Sequence, residues 1–350
     1  MSGNWRLLAD VGGTNVRFGR SDSDGRISDA QSLPVSAFAS FDLALAAYLD
    51  GLSNKGIPAN KGIPANERIP NDDLPKYGCF VSAAIAGAGP VAGGEITLTN
   101  NLWRITESGV RAILGHHLPV RLLNDLEAVA YGLPHLGNED VDWIDAGPKQ
   151  KAQTPRQRML AINVGTGFGS ACIIRTGNSW VSCPAESGHM FLGAHNAEDL
   201  ELFSALGASS PTIEDILSGD GVRNLWRCVS RTNEASRTNK DSGEAPFNHC
   251  GTEFNFANTD LVSTQVTDHF SKFLARTCAN LTLATASWDG IYLCGSVAAA
   301  WWDYADRNSF FRTFAGTGKM QTKLAHTPIG LIRHNWPAFV GLAGLDIAAH

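Results

Sequence analysis

Two stretches of the chain, about 150 residues apart, end an apolar run in a turn of glycine and threonine. The first reads LLADVGGTNVRF over residues 7–18, and the second reads LAINVGTGFGSA over residues 160–171. Glycine allows the tight bend in which successive backbone N–H groups point into one concavity, and that concavity fits a phosphate. One such turn alone is more often a plain hairpin, but two facing turns predict a clamp for a polyphosphate. The residues expected to bind phosphates are Gly12, Gly13, Thr14, Asn15, Gly165, Thr166 and Gly167.

Asp10 ends the first apolar run, two residues before its glycine turn. Its carboxylate is a hard oxygen ligand of the kind that magnesium prefers, and magnesium in phosphate sites keeps several of its waters. We therefore expect Asp10 to hold Mg²⁺ through water beside the phosphates of a nucleotide. The alternative is an aspartate that only caps a hairpin turn.

The segment LLNDLEA, residues 122–128, places a carboxylate where an apolar run ends and a helical pattern begins. Asp125 is therefore either the N-cap of that helix or a functional carboxylate at the end of a strand, where α/β proteins open their ligand crevices. Phosphoryl transfer asks a base mainly to align the attacking hydroxyl and to accept its proton late. The helix N-terminus would keep such a base ionised.

Three further segments carry polar side chains that suit a ligand. Glu186 and His189 in CPAESGH have the spacing of a metal pair, but no second histidine-rich segment completes a metal site. A structural histidine is the commoner alternative, and a carboxylate beside an imidazole also suits the hydroxyls of a sugar. Glu214 in TIEDILSGDG, expected on a short helix, and Asn100 in TLTNNLW are each typical of solvated side chains when taken singly.

Gly295 ends another strand-like run, in LCGS at residues 293–296. Small residues at such a turn let a flat purine lie against the backbone. A tight strand-to-helix turn with no ligand is the equal alternative.

Strand-like and helix-like segments alternate along the chain, which predicts an α/β fold. The strand–glycine turn–strand pattern recurs at too long a period for a solenoid and predicts two related domains. Apolar residues recur every four positions from Leu261, which predicts a long core helix. The other expected helices are 40–51, 106–115, 197–206, 212–217 and 338–349, while 54–76 and 230–258 are expected to form polar loops.

The composition excludes several classes of function. The chain has 350 residues and a net charge of −6, and no stripe of lysine and arginine suggests nucleic acid or an anionic membrane as a partner. Seven cysteines form no CxxC pair, which favours reduced thiols over disulfides or a zinc site. The first residues have no signal-like pattern, and glycines and a proline interrupt the longest apolar run. A cytoplasmic protein is expected.

Taken together, seven segments resemble the bacterial-type glucokinase family, in the family's order and at its approximate spacings. The resemblance runs from about residue 7 to the C-terminus. It implies the actin-like ATPase (ribonuclease H-like) fold, with a cleft between a small α/β domain (1–135, rejoined by a helix at 334–350) and a large one (136–333). The segments are LLADVGGTNVR, TLTNNLW, LLNDLEA, NVGTGFG, CPAESGH, TIEDILSGDG and WPAFVGLAG.

The resemblance also implies roles. Asp125 would be the base that deprotonates the 6-hydroxyl of glucose, the two glycine turns would bind the phosphates of Mg·ATP, and Gly295 would lie by the adenosine. The family usually has a second glycine where this chain has Ser296, and Ser187 replaces a smaller residue. A homodimer is implied as well. The residues that would hold the sugar hydroxyls are Asn100, Asn124, Asp125, Glu186, His189 and Glu214.

Three rivals to glucose phosphorylation remain open on the sequence. The first is a kinase for another hexose, such as mannose or an N-acetylated amino sugar. The second is a sugar-binding regulator that keeps the fold without turnover, although the cysteine-rich zinc motif and N-terminal helix-turn-helix of the related repressors are not found. The third is an ATPase of the Hsp70 or actin kind, whose hydrolysis of ATP would not depend on sugar.

Overall fold

The computed structural model describes residues 4–54, 80–99, 102–144, 156–238 and 254–347. The chain divides into two compact units. The first comprises Met1–Gly137, Arg175–Pro184 and His334–His350, and the second comprises Asn138–Ile174 and Ala185–Arg333.

The first unit is built around a five-stranded sheet with the strand order β3-β2-β1-β4-β8. The pairs β1–β2 and β2–β3 are antiparallel, and β1–β4 and β4–β8 are parallel. The elements of this unit are β1 (Trp5–Val11), β2 (Asn15–Ser21), β3 (Ile27–Pro34), α1 (Phe41–Asn54), β4 (Phe80–Gly87), β5 (Val91–Ala92), β6 (Glu95–Thr97), β7 (Arg104–Thr106), α2 (Glu107–Leu114), β8 (Val120–Asn124), α3 (Asp125–Gly132) and α10 (Pro337–Gly344). Strands β5, β6 and β7 form a separate small sheet.

Both faces of this sheet are covered, which explains why the central strand β4 is almost continuously apolar. One face packs on α1 and α2 through side chains such as Phe41, Tyr48 and Val110. The other face packs on α3 and α10 through a cluster that includes Leu123 and Phe339. Sheet and helices therefore fix the place where β8 ends and α3 begins.

Helices α3 and α10 approach each other closely because glycine stands at their contact. A side-chain methyl at Gly341 of α10 would overlap the carbonyl oxygen of Ala128 in α3. A methyl at Gly132 of α3 would likewise lie 2.7 Å from the carbonyl oxygen of Pro337. This contact anchors one side of α3.

The second unit repeats the same strand order and adds one strand. Its sheet has the order β12-β11-β10-β13-β14-β9, with β10–β11 antiparallel and β10–β13 and β13–β14 parallel. Its elements are β9 (Val141–Trp143), β10 (Arg158–Val164), β11 (Phe168–Thr176), β12 (Ser179–Ala185), α4 (Ala197–Ala205), α5 (Gly219–Thr238), α6 (Leu261–Thr285), β13 (Ile291–Cys294), α7 (Ser296–Tyr304), α8 (Arg307–Ala315), α9 (Gln321–Leu324) and β14 (Ile329–Ile332). The tip of the β11–β12 hairpin, residues 175–184, is counted with the first unit.

Several sequence expectations are confirmed, among them both strand–glycine turn–strand repeats, the long helix from Leu261 and the helix start at Asp125. The expected helix over 212–217 is wrong. The Leu217 N–H donates to the Ile213 carbonyl, but this single turn is not continued as a helix. The N–H groups of Ile213 and Glu214 donate to the carbonyls of Met190 and Gly188, and the segment forms turns.

Three boundaries also differ from expectation. The first helix continues past Gly51 to Asn54, and the last helix ends at Gly344 because Leu345 is extended. The polar loop expected over 230–258 is wrong for 230–238, which belong to α5. Residues 239–253 lie outside the described part of the chain, as does nearly all of the 54–76 loop. None of the described helices is both long and apolar enough to cross a membrane.

Candidate active site

The first glycine turn joins β1 to β2. The N–H of Gly12 donates to the carbonyl of Asn15 at 3.0 Å, and this bond closes the turn. Gly12 is half-buried, whereas Gly13, Thr14 and Asn15 are exposed. Residues predicted to contact phosphates therefore lie at an accessible, hydrogen-bonded bend between two strands.

Asp10 lies directly opposite Arg17 in the β1–β2 pair. The Oδ2 atom of Asp10 is 2.9 Å from Nη1 of Arg17, and only 17% of the Asp10 side chain is exposed. Burial raises the pKa of Asp10 above its ordinary value, while the charge and hydrogen bond of Arg17 oppose that rise. Arg17 was not among the predicted site residues, although opposite charges across a short hairpin are a signal that could have identified it.

Asp125 and Asp10 lie at the same edge of the first sheet. Ala86 of β4 pairs with Asp10 of β1 on one side and with Leu123 of β8 on the other. Asp125 then begins α3 directly after β8. Because β1, β4 and β8 run parallel, their carboxyl ends bring Asp10 and Asp125 close enough to interact electrostatically.

The surroundings of Asp125 raise its pKa to about 6. Burial is the largest cause, and the negative charge of Asp10 adds to the rise. A hydrogen bond from the Leu126 N–H to Oδ1, 2.8 Å long, acts in the opposite direction because it stabilises the carboxylate. Asp125 is therefore mostly ionised at pH 7, and it is a better proton acceptor than an ordinary aspartate.

Asn124, and not Asp125, is the N-cap of α3. Its Oδ1 accepts from the Leu126 N–H at 3.0 Å, and its Nδ2 donates to the Gly89 carbonyl at 3.2 Å. The interpretation of Asp125 as nothing more than an N-cap is therefore wrong. Asn100, also predicted to hold the sugar, lies outside the described residues.

The second glycine turn joins β10 to β11 and is held from two sides. The N–H of Gly165 donates to the Gly167 carbonyl at 3.0 Å, and the Gly165 carbonyl accepts from the Gly219 N–H at 2.9 Å. Gly219 begins α5, so a helix N-terminus lies beside the turn. Gly165 is buried, Gly167 is half-buried and Thr166 is exposed.

Glu214 contacts this second turn directly. Its Oε2 accepts from the Phe168 N–H at 2.7 Å. A methyl at Gly167 would lie only 2.6 Å from the same oxygen, so glycine leaves room for the carboxylate. Glu214 was predicted to bind only the sugar. Its contact with the second turn was not predicted, because Phe168 and Glu214 are 46 residues apart.

Glu186 and His189 follow the end of β12, on either end of a short 3₁₀ turn, and both are exposed. A buried hydrogen bond of 2.8 Å from Ser187 Oγ to Ser170 Oγ joins this turn to β11. Because the Glu214 N–H donates to the Gly188 carbonyl, the segment that carries Glu186 and His189 is bonded to Glu214, which itself contacts the second glycine turn.

Gly295 lies between β13 and α7 with φ of 96°, a conformation that favours glycine. A methyl there would overlap the carbonyl oxygen of Val164, at the end of β10. Gly295 thus lies beside the second turn, and the backbone itself requires glycine at this position. The nearness of a nucleotide to Gly295 stays a prediction.

No group of three or more His, Cys, Asp or Glu side chains within the described ranges has the arrangement of a metal-binding cluster. The five cysteines in those ranges, Cys172, Cys183, Cys228, Cys278 and Cys294, form no disulfide with one another. The site is therefore one of carboxylates, an imidazole and backbone N–H groups.

Two units that repeat one strand order, each with a glycine turn between two neighbouring antiparallel strands, define an α/β protein of the actin-like ATPase fold. A crystal structure of a glucokinase from an Antarctic psychrotroph shares this fold at a TM-score of 0.74, with 23% identity, over 97% of this chain and 98% of that one. The chain belongs to the glucokinase family, since the model for that family, Glucokinase, matches residues 7–348.

Curated relatives agree with the family model. A glucokinase from Mesorhizobium japonicum is 30% identical over 343 residues, which cover 96% of this chain and 90% of that protein. A glucokinase from Marinobacter nauticus is 25% identical over 343 residues, with coverage of 97% and 96%. The prediction of the family from seven short segments is confirmed.

Proposed function

We propose that this protein transfers the γ-phosphoryl group of ATP to the 6-hydroxyl of glucose, giving glucose 6-phosphate and ADP. Membership of the glucokinase family across residues 7–348 supports the reaction and both substrates. The alignments with the two glucokinases named above cover nearly the whole length of each protein, so the similarity is not confined to one shared domain.

The observation that carries the mechanism is the environment of Asp125. A carboxylate at the end of β8, with a pKa raised to about 6, is ionised at neutral pH and still accepts a proton readily. In the proposed reaction Asp125 orients the 6-hydroxyl of glucose toward the γ-phosphorus. It takes the hydroxyl proton as the new O–P bond forms and the bond to the leaving ADP oxygen breaks.

The phosphates are the proposed ligands of the two glycine turns, whose backbone N–H groups are donors with fixed directions. Glu214 and the N-terminus of α5 support the second turn, and Arg17 supports the first through Asp10. Such prepositioned donors stabilise the charge that develops on the transferred group without reorganising during the reaction.

Magnesium fits the first turn as the ion carried with ATP. Asp10 offers a hard carboxylate, but Arg17 already occupies its Oδ2 atom, and no larger acidic cluster surrounds it within the described residues. Asp10 would therefore hold the ion through water, with phosphate oxygens as the remaining ligands. When bound, magnesium neutralises charge on the phosphates.

The sugar hydroxyls are the proposed ligands of Asn100, Asn124, Glu186, His189 and Glu214. Carboxylates accept hydrogen bonds and an imidazole can donate or accept, so this set suits a ring of neighbouring hydroxyls. Glu186 is exposed and its side chain does not cap the 3₁₀ turn that follows it, whereas Glu214 already uses Oε2 on Phe168. Glu186 is thus the better placed of the two carboxylates for a new partner.

A sugar panel in an assay that couples ADP release to a spectroscopic signal tests the proposal. The full chain is assayed with Mg·ATP and glucose, mannose or N-acetylated amino sugars, and without sugar. We expect ADP release that depends on glucose and exceeds the rate with each other sugar. A large preference for another hexose, or release that is the same without sugar, would contradict the proposed substrate. Replacing ATP with ADP or polyphosphate tests the donor in the same assay.

Four further expectations belong to this proposal: a homodimer, a cytoplasmic location, a part in glycolysis, and no binding to nucleic acid or membranes. The family resemblance motivates the dimer and the part in glycolysis, the cysteines and the pattern of apolar residues motivate the location, and the net charge of −6 motivates the last. Sedimentation of the full chain at several concentrations tests the dimer. Gel shift and vesicle flotation test the last expectation.

A further inference from the structure

Helix α3, which begins with Asp125, contacts the tip of the β11–β12 hairpin through two side chains one turn apart. The hydroxyl of Ser182 donates to Oε1 of Glu127 at 2.5 Å. The backbone N–H of the same serine is 3.4 Å from the hydroxyl oxygen of Tyr131. Residues four apart lie on one helical face, so Glu127 and Tyr131 together hold a single residue of the hairpin.

The hairpin contact complements the contact of α3 with α10. Gly341 of α10 meets α3 at Ala128, where a methyl group would overlap backbone. Glu127 and Tyr131 add contacts to a different segment, residues 175–184, within the same unit. A helix of eight residues has little stability of its own, so its position depends on such tertiary contacts.

The two residues joined by this hydrogen bond each lie close in sequence to a part of the proposed site. Glu127 is two residues from Asp125, the proposed base. Ser182 is four residues from Glu186, a proposed sugar ligand, and the strand continues without interruption to Ala185. Only residues 183–185 separate Ser182 from Glu186 along the chain.

Resting on the proposed function, we propose that Glu127 is a positioning residue, which through Ser182 fixes the start of α3 and the strand that leads to Glu186. The interaction needs a hydrogen-bond acceptor at position 127. A carboxylate accepts strongly from a hydroxyl, and both side chains are partly buried, where water competes less for the donor. The role requires the oxygen atom and does not require the negative charge.

Steady-state kinetics of Glu127→Ala, Glu127→Gln, Ser182→Ala and the double alanine variant test this role. Glu127→Ala should lower kcat/KM for glucose about tenfold, because small displacements of reacting groups have large kinetic effects. The KM for ATP should change less than about twofold, since the second glycine turn is held by Glu214 and Gly219 instead. Glu127→Gln should keep most of the activity, because its amide oxygen accepts from Ser182.

The double variant separates positioning from general stability. If the two side chains act through one hydrogen bond, the double alanine variant should be no worse than Glu127→Ala, since each change removes the same interaction. Effects that multiply, or a Glu127→Gln variant as impaired as Glu127→Ala, would overturn the proposal. So would a lower Tm with unchanged kcat/KM well below the transition. Glu139→Ala, at an exposed position outside the site, is the matched control.

Hydrogen exchange provides a readout that does not depend on turnover. Glu127→Ala should increase exchange of amides in residues 179–185, whereas Glu139→Ala should not. Unchanged exchange in that strand would overturn the proposal even if the wild-type chain proved inactive on glucose. Absence of glucose-dependent ADP release from the wild type would instead contradict the proposed function, so the two failures are distinguishable.

Discussion

The first glycine turn is preceded by Asp10, and the second is preceded at the equivalent position by Asn163. Both residues lie two positions before the turn, in strands that occupy the same place in sheets of the same order. In the first unit the edge carries two carboxylates, Asp10 and Asp125, and one arginine. In the second unit the strand end is neutral, and the turn is surrounded by a helix N-terminus and Glu214.

The same strand order therefore carries two different electrostatic surroundings. Paired charges near a candidate base suit the transfer of a proton and of a phosphoryl group. A neutral strand end beside backbone N–H groups suits binding of an anion.

Asp125→Asn should lower kcat by about 10²–10⁴, the usual contribution of a general base, and leave the affinity for ATP nearly unchanged. Asparagine keeps the shape of the side chain but cannot take the proton. Turnover with glucose measures the change in kcat, and equilibrium binding of the nucleotide measures the affinity for ATP. A variant that retains a tenth of the wild-type turnover would exclude Asp125 as the base.

Asp10→Asn makes the first turn resemble the second and should lower kcat/KM about 10–100-fold, because the ligand proposed for magnesium is lost. It should also lower the pKa of Asp125, since removal of a nearby negative charge favours the ionised carboxylate. Titration with magnesium and a pH–rate profile measure both effects. Asn163→Asp is the reciprocal variant. Equal effects of the two changes would show that the turns do not differ in the way proposed.

The acid limb of the kcat/KM profile should have an apparent pKa of about 6. The sign follows from the raised pKa of Asp125: the base is protonated below about pH 6 and ionised above it, so activity falls as pH falls. The expected loss is about tenfold per pH unit on the acid side. A flat profile down to pH 5 would contradict the assignment, provided that circular dichroism shows a folded protein there.

Gly295→Ala should destabilise the protein by about 1–3 kcal/mol, because alanine disfavours a φ of 96° and its methyl would overlap Val164. Gly12→Ala in the first turn should have a smaller effect, since a methyl there lies at an ordinary 3.5 Å from the Asn15 carbonyl. Denaturant unfolding of both variants measures the difference. Equal losses would mean that backbone strain does not distinguish Gly295 from Gly12.

Much of the fold was predictable from short-range patterns. The period of four from Leu261 predicted α6, and the apolar runs ending in glycine predicted both hairpins. A helix was expected over 212–217, but only a single turn forms there, and the segment is hydrogen-bonded to residues 188 and 190. No local pattern carries that information.

The site was predictable in its types of residue and much less in its contacts. Asp125 stood out because a carboxylate follows an apolar run, and the family indicated by seven segments is confirmed. The pairing of Asp10 with Arg17, the binding of Glu214 to the Phe168 N–H, and the contact of Glu127 with Ser182 were not predicted. Each depends on partners brought together by pairing of strands or packing of turns.

Residue types and spacings along the chain were enough to indicate the family, the repeated strand–turn–strand units and the candidate base. The electrostatics of that base depend instead on how the chain packs. The pKa of Asp125 rises because neighbouring strands bury it and bring Asp10 to the same edge of the sheet. Burial and distances through space are properties of the packed chain, and no spacing along the sequence specifies them.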